Sequence, residues 1–142
     1  MASENASDQF NWVAAQATCT AALAFERLRA GVKQDVERRN ALTGLDDASR
    51  FEFSDQGERF EVAWLEGDRF GTGKVVALVR FEREGRRILA HGEDVDVDIT
   101  AVMALDAAGQ CRFVVGEALY AEWELRRMAL EPLLFGEPDA KE

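Results

Sequence analysis

FERLRAGVKQDVERRNALTGLDDASRFEFSDQGERFEVAW, residues 25–64, changes its hydrophobic period partway along. Before Gly44, Phe25, Leu28, Val32 and Val36 recur at three- and four-residue intervals, which stacks them on one face of a helix. After it, Phe51 and Phe53, then Phe60, Val62 and Trp64, recur every second residue, the period of a half-buried strand. Val95, Val97 and Ile99 repeat that alternation further on. The switch predicts a long helix feeding an antiparallel sheet, and it carries no catalytic or binding signature.

Thr20 is the expected N-cap of that helix, because its hydroxyl can accept an orphan backbone amide of the first turn. The helix should run to about Leu42. Glu26, Arg27, Arg29, Lys33, Asp35, Glu37, Arg38 and Arg39 fill the positions between the apolar ones, so it packs on one side. Arg38 and Arg39 also suit the negative end of the helix dipole. Upstream, Phe10, Trp12 and Ala14 fit a strand, whereas Phe10, Val13, Ala14 and Ala17 fit a helix; an extended segment is the reading taken for 10–18. Residues 1–8 and 136–142 are short and polar, with nothing to anchor them to a core, and are expected to be disordered.

Six strands are predicted after the helix, at 49–55, 59–66, 73–83, 86–91, 94–106 and 111–116. Gly57, Gly85 and Gly109 sit in short connections where a hairpin requires positive φ, so neighbouring strands should be antiparallel and form a meander. On the fifth strand Val95, Val97, Ile99, Ala101, Met103 and Leu105 share one face and Asp94, Asp96, Asp98 and Thr100 the other. One face must be covered. The covering elements are the first helix and a second one over 117–135, where Ala118, Ala121, Leu125, Met128, Pro132 and Phe135 make a helical stripe and Pro132 should kink or end it.

The result is one α+β domain. Its element order resembles a helix-grip domain, in which a sheet wraps around the last helix and can leave an apolar cavity between them. A single helix packed across a sheet, as in cystatin-like folds, is the alternative arrangement.

At 142 residues the chain can bury an adequate core without staples. Its net charge of -10 is spread over every segment, so phosphate backbones and anionic membrane surfaces are disfavoured as partners. No apolar run is long enough to span a membrane, and the start lacks the basic region of a secretory signal. Cys19 and Cys111 lie far apart with no metal-ligand spacing, which predicts two buried thiols, no disulfide and a cytoplasmic protein.

Gly67-Asp68-Arg69-Phe70-Gly71-Thr72-Gly73-Lys74 invites comparison with a phosphate-binding loop. It fails on glycine spacing, on Val75 where Ser or Thr is needed, and on the strand that follows in place of a helix. Glu93, Asp94, Asp96 and Asp98 form the densest charge run, and i, i+2 spacing puts the three aspartates on one strand face without the turn a calcium loop requires. His91 is the single histidine, which excludes any site needing two and leaves only a weak pairing with Cys111. Arg126 and Arg127 could hold an acidic ligand or partner, although Glu122, Glu124 and Glu131 lie within helical pairing distance.

No catalytic residues, metal ligands or cofactor motif emerge. The leading expectation is a non-catalytic module that binds a protein partner or a second copy of itself. The alternative is a small apolar-ligand binding protein or modest enzyme with a cavity between sheet and C-terminal helix, lined by some of Trp12, Trp64, Met103, Tyr120 and Trp123.

Overall fold

The Thr20 hydroxyl accepts the Leu23 amide at 3.2 Å and opens the long helix where its spacing requires. In the computed structural model, which describes residues 10–42, 49–67 and 73–136, that helix is α2 (Ala21–Ala41) and follows a short α1 (Trp12–Thr18). Seven strands come next: β1 (Ser49–Asp55), β2 (Arg59–Glu66), β3 (Lys74–Glu84), β4 (Arg87–Glu93), β5 (Asp98–Leu105), β6 (Cys111–Val115) and β7 (Ala118–Tyr120). The last element is α3 (Glu122–Leu134). The strands form one antiparallel meander in chain order, so the expected α+β architecture holds with seven strands in place of six. The expected leader 1–8 and the tail from residue 137 lie outside the described residues, as does 68–72 of the glycine loop.

Four differences from the sequence reading have physical causes. Residues 12–18 are helical because the Asn11 side chain caps the first turn, accepting the Ala14 amide at 3.0 Å. Gly116 takes φ 62 and turns the chain back into β7, so the final helix starts at Glu122 and not at 117. Its first turn is held by Glu124, which accepts the Ala121 amide at 2.8 Å, and Pro132 lies inside it without ending it. The aspartate face is broken as well: Asp94 adopts φ 62, and the Gly92 amide bonds the Val97 carbonyl at 2.8 Å across a short loop. Only Asp98 of the three belongs to β5, while Val97 and Ile99 still point into the core.

The fourth difference is covalent. Cys19 and Cys111 form a disulfide, their Cα atoms 5.3 Å apart, where two thiols were expected. The junction between α1 and α2 is thereby stapled to the start of β6. Sequence separation of 92 residues hid this contact, since only the tertiary fold brings the two together.

Register places Phe51, Phe53, Phe60, Val62, Trp64, Ala77, Val79 and Phe81 on one face of the first three strands. Phe60 is fully buried among Phe25, Phe53 and Phe81, at ring-centroid distances of 5.1, 5.7 and 4.8 Å. Both long helices pack on this face and on each other, α2 through Ala24, Phe25, Leu28, Val32 and Val36 and α3 through Leu125, Ala129 and Leu133. Arg29 seals one end, bonding Asp55 at 2.6 Å and the Gly57 carbonyl at 2.7 Å, with its guanidinium 5.2 Å from the rings of both Phe25 and Phe60. The opposite sheet face carries charge, with Arg80 bonded to Glu61 at 2.8 Å and 3.4 Å from Glu93.

β1 is an edge strand whose free backbone groups would template pairing with another chain. Asn40 of α2 takes both groups of Phe51, donating to its carbonyl at 2.8 Å and accepting from its amide at 3.0 Å. Asn40→Ala is expected to cost about 1–2 kcal/mol in urea unfolding and to speed hydrogen exchange at the Phe51 amide. Unchanged exchange there would show that the side chain does not guard the edge.

Candidate functional site: a groove between two helices

Contacts between α2 and α3 advance together along both chains. Arg126 lies across Gly31 and 3.5 Å from Asp35, while the Arg39 Nε donates to the Leu134 carbonyl at 2.8 Å. The two helices therefore run the same way and end side by side. Gly31 lets the Arg126 side chain lie close against α2, and a Cβ there would oblige that flexible side chain to move. Arg39 satisfies an orphan carbonyl at the end of α3 and lies 4.6 Å from the Phe135 ring centroid.

Asp35, Arg39, Arg126 and Leu134 of this contact also line a groove of about 400 Å³ that is partly open to solvent. Leu130 and Leu134 supply its buried apolar surface. Leu42, Trp123 and Phe135 also line it and remain 55, 55 and 59% exposed. Arg38, Arg39, Arg126 and Arg127 line it too, against the carboxylates Asp35 and Glu131.

The arginines differ in how fully they are engaged. Arg126 sits between Asp35 and Glu122 at 3.5 and 3.8 Å, its buried Nε making no hydrogen bond. Arg127 pairs with Glu131 at 3.3 Å and Arg38 with Asp35 at 3.9 Å, and their side chains are 64 and 72% exposed. The helical pairing of Arg126 and Arg127 expected from spacing is present, together with the partner across the helices that spacing could not reveal.

Burial raises the Asp35 carboxyl above its ordinary 3.8, with Arg126 and Arg38 pulling the other way. Burial likewise raises Glu122 above 4.5, opposed by Arg126, reinforced by Asp35 and opposed by Arg27. A carboxyl held above its unfolded value binds its proton more tightly in the fold, so it costs stability as pH rises from the unfolded value through the raised one. Glu122→Gln should therefore gain on the wild type as pH rises from about 3.5 to about 7, compared by urea unfolding. A difference independent of pH would contradict the assignment.

The five aromatic and sulfur-bearing candidates are not gathered in one place. Trp123 lines the groove. Met103 lines a separate hollow beside the disulfide, with Gln16, Thr20 and Val102. Trp64 and Tyr120 pack against the core, and the buried Trp64 Nε1 has no hydrogen-bond partner. Trp12 is exposed on α1, none of whose residues is buried. The groove lies between the two helices, whereas the expected cavity lay between sheet and α3, where Leu125, Ala129 and Leu133 fill the interface.

Cys111 is oxidised, so it offers no nucleophile to His91, which stands exposed between Arg80 and Asp98 in the sheet register. Lys74 opens β3, and no helix N-terminus follows the glycine loop. Among the described residues no three of His, Cys, Asp and Glu converge on a metal-sized site, and no helix is long and apolar enough to cross a membrane. Comparison with protein-family models, curated proteins and solved structures finds no match to this chain.

Proposed function

We propose that this protein is a non-catalytic binding module whose recognition surface is the α2/α3 groove, occupied by a segment of a protein partner. One observation carries the reading: Leu42, Trp123 and Phe135, three large apolar side chains each more than half exposed, line the same groove. Contiguous exposed apolar surface marks interaction sites, and aromatic residues are favoured as anchors there. The groove is open, which suits a polypeptide segment better than an enclosed small molecule. The disulfide favours an oxidising compartment over the cytoplasm as the place of action.

Native mass spectrometry of untagged protein from its own cells, wild type beside Trp123→Ala, tests the reading. A bound polypeptide on the wild type and its loss from the variant are expected. Unfolding stability should stay within about 0.5 kcal/mol, because Trp123 is exposed. A bound mass of a few hundred daltons, lost in the same way, would assign the groove to a small apolar ligand instead. A self-complex lost with Trp123 would assign it to a second copy.

A further inference from the structure

Resting on that reading, we infer that the groove's occupant is an acidic amphipathic helix of a partner protein, about three turns long. The length follows from the lining of α3, which runs from Trp123 to Phe135 and spans about 18 Å at about 1.5 Å per residue. An apolar trough between parallel helices accepts a helix that presents apolar side chains at i, i+3, i+4 and i+7.

The charge follows from the arginines. Four of them line the groove against two carboxylates, a local excess of two positive charges on a chain whose net charge is -10. Arg39 is committed to Leu134 and Phe135, and Arg126 lies between Asp35 and Glu122. Arg38 and Arg127 remain, one on each helix, mostly exposed and each with a single carboxylate neighbour.

The helix dipole accounts for Arg38, in the last turn of α2, but not for Arg127, which stands in the first half of α3 where the dipole gives a cation no benefit. The i, i+4 pairing with Glu131 places Arg127 there, and its mostly exposed side chain stays open to a second carboxylate, as that of Arg38 does. Two exposed arginines, each shared with one carboxylate of its own helix, match a segment with a few acids, whereas a polyanion such as nucleic acid or an anionic membrane would be repelled by the rest of the molecule.

The test uses the full-length oxidised protein and two synthetic end-capped peptides of 14 residues. Both carry one leucine face at helical spacing; one is flanked by Glu and the other by Lys. Calorimetric titration at low salt is expected to show the Glu peptide binding at least about tenfold more tightly than the Lys peptide. At 0.5 M salt the ratio should shrink to about threefold or less.

Arg38→Glu with Arg127→Glu should reverse the preference, and Arg38→Gln with Arg127→Gln should abolish it. Both pairs are checked for native unfolding curves, and the neutral pair decides if the acidic pair does not fold. Trp123→Ala should weaken both peptides. Equal binding of the two peptides, still lost with Trp123, would overturn the inference while leaving the groove as the binding surface. Failure of both peptides, or binding indifferent to Trp123, would overturn the groove reading itself. Dodecanoate binding as tightly as the Glu peptide, and competing with it, would assign the arginines to a small amphiphile and overturn the acidic helix.

Discussion

Phe60→Ala is expected to lower the unfolding free energy by about 3–5 kcal/mol. The side chain is fully buried where α2 meets the first three strands, and its ring lies between those of Phe25, Phe53 and Phe81. Truncation removes the transfer free energy of the ring and leaves a void, because three further rings and the Arg29 guanidinium are already fixed around it. A domain of this size has roughly 5–15 kcal/mol in total, so the variant should unfold at a much lower urea midpoint with a similar slope. A loss below about 1 kcal/mol would mean that the cluster can collapse onto the gap, against the packing described.

Breaking the Cys19–Cys111 bridge is the second large effect, expected to cost about 2–5 kcal/mol. The bridge joins residues 92 positions apart, so reduction or Cys19→Ser with Cys111→Ser gives the unfolded chain back much of its freedom. The folded state should suffer locally as well. α1 has seven residues, none of them buried, and a helix so short does not persist unsupported in water. Urea unfolding with and without a phosphine reductant reads the first effect, and hydrogen exchange over residues 12–18 reads the second. Identical stability and exchange in both conditions would remove the bridge from the account.

Much of the fold was readable from single residues whose chemistry fixes the local backbone and from apolar spacing. Thr20 caps α2 as expected, Phe25, Leu28, Val32 and Val36 are all buried, and Gly57, Gly85 and Gly109 all take positive φ in their turns. β7 escaped because three residues, Ala118, Leu119 and Tyr120, are too few to show a period, and their composition fits a helix equally well. Gly116 was the available signal, a positive-φ glycine in a two-residue connection like that of Gly85. Asn11, in turn, was a capping residue in a stretch whose apolar spacing allowed either structure.

The groove was legible only in part. Arg126, Arg127 and Trp123 attracted notice through their residue types, and all three line it. Leu42 and Phe135 did not, because each looks like an ordinary helix end. They meet only because α2 and α3 finish side by side, a relation that depends on the intervening sheet and has no local trace in either helix.

The most direct test of the groove as the binding surface is a nuclear magnetic resonance titration of the ¹⁵N-labelled oxidised protein with the Glu-flanked leucine peptide. Amide shifts should concentrate at residues 35–42, the end of α2 and its cap, and at 123–135, α3 and its cap, with α1 and the charged outer face of the sheet silent. Shifts confined to α1 or the outer sheet face, or none at saturating peptide, would contradict the assignment.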